Sequence, residues 1–255
     1  MKKILSNIII IVSLLAFIYF SYKIFNYFKE EKEQESLNNG IIDIAIKKNE
    51  NTENNEIMQD ENIQKKNILP IEVDFENLKE KNKYIIAWIY SENTPINYPV
   101  VKTSNNDYYL RRLIDGTYNQ AGTLFVDYKN SSDFSDYNTI IYGHNMKNGA
   151  MFGTLTNYSN QEYYDEHKEI FFFTEDKNYK IVVFAGFTTS SESDIYRFPK
   201  TSNTNEKLIN KAIKNSTFKS DIEVTSEDRI ITLSTCSYSY ENARYILLGV
   251  LKEIE

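Results

Sequence analysis

The chain has 255 residues, of which 25% are charged and 41% are hydrophobic, a composition typical of a globular protein. Its formal net charge of −7 argues against a nucleic-acid partner, and its single cysteine excludes an internal disulfide bond. Residues 1–29 carry four lysines and no acid, so that with −7 overall and +4 here the remaining residues carry −11.

The first 29 residues have the features of a membrane anchor. An apolar stretch from Ile8 to Phe20 follows Lys2 and Lys3, and Lys23 is the only charge between residues 4 and 28. About 20 residues of helix cross the hydrocarbon layer, so the stretch is long enough. A cleaved signal peptide or a buried core helix is the alternative, but small residues at a cleavage site and a polar face are both missing. We predict a single-pass anchor over 1–29, with its lysine end cytoplasmic and the rest extracellular.

Residues 30–68 are dominated by Glu, Lys, Asn and Gln. Such a composition buries too little apolar surface to offset the entropy of ordering, so the segment is predicted to be a polar extracellular spacer. From residue 69 short apolar runs separated by turn residues replace the polar composition, and 69–255 is predicted to be a folded domain.

The domain is predicted to be mainly β. Asp74 can cap a short helix that begins at residue 75. Eight short β-like runs separated by turn residues favour a closed or nearly closed β-barrel, in keeping with 14% aromatic residues. The runs are 84–90, 96–102, 122–128, 138–143, 170–175, 179–188, 229–237 and 243–251. An amphipathic helix over 205–216 is predicted between the sixth and seventh strands.

Cys236 is the candidate nucleophile. Alternation in the run 229–237 places it on the more polar face of its strand, whereas an unpaired cysteine is otherwise most often a buried small hydrophobe. If the following hairpin is symmetric about Tyr240, Arg244 lies directly opposite Cys236, about 5 Å away. A guanidinium there can lower the pKa of a thiol and can stabilise an oxyanion. The alternative for Arg244 is an edge-strand charge without a catalytic role.

Two histidines can serve as the partner of this thiol. His144 follows a β run and a glycine, a position from which a rigid scaffold presents catalytic groups. His167 lies in a charged stretch typical of a solvated helix, so His144 is the better candidate. The chain contains no HExxH, CxxC or GxxxxGK[ST] motif, so neither a zinc protease nor a nucleotide enzyme is indicated.

These residues resemble the signature of the sortases. TLSTC (232–236), Arg244 eight residues later, and YGHNM (142–146) occur in the expected order. NLKEKNKYIIAWIY, INYPVVKTSNNDYYLRR, AGTLFVDY and IIYGHNMKNGAMFGTL extend the similarity to the class B branch over residues 73–255. The resemblance implies that residues 69–255 are the catalytic domain, an eight-stranded sortase barrel behind a membrane anchor in a Gram-positive bacterium.

The resemblance also implies roles for individual residues. Cys236 would be the nucleophile, His144 the general acid and base, and Arg244 the group that holds the substrate backbone and the oxyanion. The residues that would line the groove for the sorting signal are Leu110, Tyr196 and Ser234. The substrates would be LPxTG-like or NPxTN-like sorting signals and an amine of a cell-wall precursor or a pilin, with no cofactor.

Two other functions remain open from the sequence. A cysteine hydrolase with the same residues would release its acyl group to water instead of to an amine. A membrane-tethered binding protein would use Cys236 only structurally, so that Cys236→Ala would change nothing except stability.

Overall fold

The computed structural model describes residues 2–47 and 69–254. Its first element is one unbroken helix, α1 (Lys2–Ala45), which is long and apolar enough to cross a membrane. The large apolar side chains between residues 4 and 28 are exposed, as expected for a helix whose partner is lipid. A two-stranded antiparallel sheet follows, formed by β1 (Ile46–Lys47) and β2 (Glu72–Val73). Residues 48–68 of the predicted spacer lie outside the described residues.

Residues 30–45 of the predicted spacer form the second part of α1. This part of α1 packs on the domain, and Gln34, Ile41 and Ala45 are buried there. The polar average composition does not reveal that residues 34, 38, 41 and 45 are spaced three or four positions apart and share one face of the helix with Leu37. This face contacts α2 (Phe75–Lys81), whose N-terminus is capped by Asp74 as predicted.

Eight strands form a closed barrel, which confirms the predicted fold. They are β3 (Ile85–Tyr90), β4 (Asn97–Val101), β5 (Leu124–Val126), β6 (Asn138–Tyr142), β7 (Glu169–Phe173), β8 (Asn178–Ser190), β9 (Ile230–Cys236) and β10 (Ala243–Ile254). Their order around the barrel is β10-β8-β7-β3-β4-β5-β6-β9. The pairs β4–β5 and β6–β9 are parallel, and the others are antiparallel.

Two further helices join the barrel, α3 (Gln161–Glu166) and α4 (Ser202–Asn215). Strand alternation sends one set of apolar side chains inward, such as Ile231 and Leu233 of β9, to fill the barrel. The other set faces outward and is covered by helices. α4 covers the β8–β10 side and lies between the sixth and seventh barrel strands, as predicted, while α1 and α2 cover the side of β3 and β4.

Candidate active site

Cys236 and Arg244 face each other across the β9–β10 hairpin. Their Cα atoms are register partners, which confirms the predicted pairing. Cys236 ends β9 and is half-buried, and the outward face that it shares with Ser234 is the more polar one. Arg244 Nη1 donates to the carbonyl oxygen of its neighbour Ala243 at 3.0 Å. Ladder hydrogen bonds therefore hold a thiol and a permanent cation on one face of two adjacent strands.

His144 reaches this hairpin through the parallel pairing of β6 with β9. The two residues His144 and Cys236 lie 92 positions apart in the chain, and the register Tyr142↔Ser234 closes that gap. Beyond the strand, Gly143 N donates to Ser234 O at 3.1 Å, and Asn145 Nδ2 donates to the Cys236 carbonyl oxygen at 2.8 Å. The loop that carries His144 is thus bonded to the end of β9 through the residue before His144 and the residue after it.

The imidazole of His144 bonds a backbone carbonyl on its far side. His144 Nε2 lies 2.6 Å from Leu110 O, and because a carbonyl only accepts, Nε2 carries the proton. Burial lowers the pKa of His144 below its usual value, and Arg111 and Arg244 lower this pKa further, whereas the bond to Leu110 raises it. The neutral imidazole with its proton on Nε2 is therefore favoured near neutral pH.

One cleft of about 330 Å³ gathers these groups. It is lined by all six residues that the sequence singled out, which are Leu110, His144, Tyr196, Ser234, Cys236 and Arg244. Tyr196, in a 3-10 helix between β8 and α4, shares a hydrogen bond of 2.8 Å with Ser234 Oγ, and burial raises the pKa of Tyr196 to about 12. Its hydroxyl stays protonated and can donate within the cleft.

His167 does not line this cleft. It follows α3, where its ring stacks on Tyr163 at 4.1 Å and its Nδ1 lies 2.8 Å from the Tyr163 carbonyl oxygen. The choice of His144 over His167 thus agrees with where the structure places the two rings.

Sequence reasoning missed several groups that shape the cleft. Asn145 was not singled out, although it stands next to His144. Tyr142 lines the cleft, stacks near Tyr196 and donates to Asp127 Oδ2 at 3.0 Å. No local pattern marks Asp127, since its role depends on a contact between two different strands.

Comparison with known proteins places the chain in a family. The model of the sortase domain matches residues 89–252. Sortase B of Listeria monocytogenes is 36% identical over 184 residues, covering 70% of this chain and 74% of that protein. Sortase B of Staphylococcus aureus is 32% identical over 182 residues, covering 71% and 75%.

Solved structures agree with this result. A complex of S. aureus sortase B with substrate has a TM-score of 0.68 at 31% identity, covering 71% of this chain and 85% of that one. Bacillus anthracis sortase B in complex with AAEK1 has a TM-score of 0.72 at 30% identity, covering 89% and 99%. A non-catalytic binding protein is therefore not the appropriate description. The chain belongs to the sortase family, within its class B group, and is a cysteine transpeptidase that acts on the sorting signals of surface proteins.

Proposed function

We propose that the enzyme cleaves a proline-containing sorting signal after its threonine and transfers the surface protein to an amine of peptidoglycan or of a pilin. The observation that carries the proposal is the convergence of Cys236, His144 and Arg244 on one cleft. Nucleophile, proton carrier and cation are the three groups that acyl transfer through a thioester requires.

In the first step His144 takes the proton of the Cys236 thiol, and the thiolate that forms attacks the threonine carbonyl carbon. A C–S bond forms, and the carbonyl electron pair moves to oxygen, beside the guanidinium of Arg244. Collapse of this intermediate breaks the C–N bond, and protonated His144 gives its proton to the departing amine. The products of this step are a Cys236 thioester and the released C-terminal peptide.

In the second step an acceptor amine attacks the thioester. His144 takes the proton from the attacking nitrogen, the C–S bond breaks, and Cys236 leaves as the thiolate. All protons and electrons are balanced by the two substrates and these side chains, so the scheme needs no cofactor. A sortase B structure in complex with triglycine supports the amino terminus of a peptide as the kind of acceptor.

The sorting signal would lie along Leu110, Tyr196 and Ser234. Leu110 is 38% exposed and offers an apolar contact, while the hydrogen-bonded pair of Tyr196 and Ser234 offers a polar one. An LPxTG-like or NPxTN-like peptide has both an apolar or amide side chain and a rigid proline to fit such a groove.

We further infer that the first residues are cytoplasmic and that the barrel is extracellular. Lys2 and Lys3 precede the apolar part of α1, which supports this orientation. A membrane-impermeant thiol reagent applied to intact cells tests it at Cys236, the one cysteine of the chain. Labelling of intact cells, absent from Cys236→Ala, is expected; labelling only after lysis would reverse the orientation.

Mass spectrometry of the full-length enzyme in detergent tests the reaction. The enzyme is incubated with Pro-x-Thr-Gly and Pro-x-Thr-Asn peptides, with and without triglycine, beside Cys236→Ala. Cleavage after threonine and a triglycine-ligated product are expected from the wild type alone. Hydrolysed peptide that remains the main product at saturating amine would instead indicate a hydrolase. No cleavage and no thioester adduct, from a folded protein, would contradict the proposal.

A further inference from the structure

A shallow surface beside the cleft combines tyrosines and arginines. We call it the Tyr–Arg surface, and its residues are Tyr108, Arg111, Arg112 and Tyr118, in the connection between β4 and β5. The tyrosines are 43% and 54% exposed, and the Arg112 guanidinium lies 4.9 Å from the centre of the Tyr108 ring. Asp107 also borders the surface, yet among the described residues neither arginine forms an ion pair.

The contacts of helix α1 with the domain show how close this surface lies to the apolar part of the helix. The exposed large apolar side chains of α1 continue as far as Phe28, and two residues later Glu30 contacts the same connection between β4 and β5. The carbonyl oxygen of Glu30 accepts from Asn119 Nδ2 at 2.8 Å, and its Oε2 accepts from Gln120 N at 3.3 Å. Arg111 Nη1 in turn donates to Gln120 Oε1 at 3.1 Å.

The C-terminal end of α1 contacts the domain at a point much farther from the apolar residues of the helix. Ala45 packs with α2, fifteen residues beyond Glu30, which at 1.5 Å per residue is about 22 Å farther along an unbroken helix. The connection between β4 and β5 is thus the part of the domain that α1 holds next to the end of its apolar run.

We propose that the Tyr–Arg surface lies in the headgroup layer of the membrane and binds lipid phosphate; this rests on the proposed membrane span of α1. Tyrosine favours this layer because its ring is apolar and its hydroxyl is hydrated. Arginine pairs with phosphate through two parallel hydrogen bonds, and anionic lipids attract such cations. Guanidinium groups that form no ion pair among the described residues, together with exposed phenol rings, match both properties of the layer.

Contact with lipid has a consequence for catalysis, because Leu110 belongs to the same connection. Leu110 lines the cleft, and its carbonyl oxygen holds His144 Nε2. The cleft therefore opens close to the headgroup layer. It also makes the membrane a neighbour of the loop that positions the general base.

Depth-dependent fluorescence quenching tests the proposal with the full-length chain. In a Cys236→Ala background, a cysteine is introduced at Tyr118, at Ile213 or at Ile18, labelled with a fluorophore, and reconstituted into phosphatidylglycerol vesicles. Ile213 is the matched control, since it is 50% exposed and lies on α4, which covers the other side of the barrel. Spin labels sit either on the lipid headgroup or in the middle of the acyl chain.

The headgroup quencher is expected to quench the label at Tyr118 at least twofold more than the label at Ile213. Equal quenching at the two sites, with the label at Ile18 quenched from mid-chain, would overturn the surface and leave the membrane span intact. A label at Ile18 that mid-chain lipid does not quench would overturn both.

A second experiment tests the contact between Arg112 and lipid phosphate. With the label at Tyr118, Arg112→Gln is expected to reduce headgroup quenching at least twofold in phosphatidylglycerol vesicles, whereas Lys214→Gln on α4 is not. A smaller effect of Arg112→Gln in phosphatidylcholine would identify the anionic headgroup as the ligand and would support the proposal. Quenching that is unchanged by Arg112→Gln in both lipids would overturn phosphate binding by this residue.

Discussion

The two walls of the cleft are held in place by different interactions. One wall, the strand wall, consists of Ser234, Cys236 and Arg244 on β9 and β10, where each position follows from the register of an antiparallel hairpin. The other, the loop wall, consists of Leu110 and His144, which lie beyond strand ends. Individual hydrogen bonds hold the loop wall, among them Asn145 Nδ2 to Cys236 O and His144 Nε2 to Leu110 O.

Because of this difference, we expect substitutions on the strand wall to affect the chemistry and substitutions behind the loop wall to affect the position of the imidazole. A change of side chain on the strand wall leaves the ladder of backbone hydrogen bonds intact, so it should remove a chemical function and spare the fold. A change behind the loop wall should move the imidazole itself, so activity and stability should fall together. Single substitutions on each wall can test this distinction.

The largest effect is expected for Arg244→Gln on the strand wall. Removal of a group that stabilises an oxyanion typically lowers kcat by about 10²–10³-fold. We expect kcat/KM for peptide cleavage to fall by about that factor while the melting temperature stays within a few degrees. Lys252→Gln, exposed on the same strand, is the control and should be neutral. A loss below about tenfold would contradict the role of Arg244 in the transition state.

Among substitutions behind the loop wall, Gly122→Ala should have the strongest effect, because Gly122 packs against the backbone of Leu110. Gly122 has φ +61°, and a Cβ there would lie 2.6 Å from Leu110 O and 2.7 Å from Tyr109 O. We expect a loss of about 1–3 kcal/mol in the free energy of unfolding, measured with denaturant, because backbone rather than a flexible side chain must move. Activity should fall as well, since Leu110 O holds His144.

Gly40→Ala is the matched control for this glycine. No atom lies within 4 Å of a Cβ at residue 40, which stands inside α1, so alanine should leave stability unchanged or raise it by up to about 1 kcal/mol. Equal responses of the two glycines would mean that the close approach at Leu110 does not constrain the loop wall.

Asn145→Ala should have a smaller effect on both the free energy of unfolding and kcat/KM. It removes the hydrogen bond that fastens the His144 loop to Cys236 O, a contact expected to contribute about 1 kcal/mol. Since about 1.4 kcal/mol corresponds to a factor of ten, kcat/KM should fall roughly fivefold to tenfold. Lys147→Ala in the same loop, with an exposed side chain, should leave kcat/KM unchanged. A loss confined to stability would show that Asn145 braces the loop without placing the imidazole.

The strand wall could be predicted from the sequence because its information is local. Alternating residues in 229–237 assign the faces of β9, and a short symmetric turn fixes Arg244 opposite Cys236. The eight barrel strands could be predicted for the same reason, since each run carries its own pattern and its own turn residues. A pattern within ten residues was sufficient in each case.

The loop wall could not be derived in this way. The distance between His144 and Cys236 is closed by the parallel pairing of β6 with β9, and parallel partners are not joined by a turn that the sequence displays. The partner of the imidazole is the backbone carbonyl of Leu110, a group that every residue possesses. Only the resemblance to sortases brought His144 and Leu110 together, and averaged composition similarly concealed the packing of residues 30–45.

The smallest effect is a coupling between the two walls, visible in the titration of His144. Burial lowers the pKa of His144 below the usual value of about 6.5, and the nearby cations Arg111 and Arg244 lower this pKa further. Arg244→Gln removes one of these cations and should therefore move the pKa of His144 upward. NMR of the imidazole protons can follow this, because the chain has two histidines and His167→Gln assigns them.

The lowered pKa of His144 also determines how the stability of the protein changes with pH. A histidine whose pKa is lowered by folding binds its proton more readily in the unfolded chain, so the free energy of unfolding should decrease as pH falls below about 6.5. Arg244→Gln should weaken that decrease, and His144→Gln should remove its share entirely. If the pKa of His144 stayed unchanged in Arg244→Gln, the guanidinium would not act on the imidazole. The two walls would then be joined by the hydrogen bonds from Gly143 and Asn145 to β9, without an electrostatic coupling between Arg244 and His144.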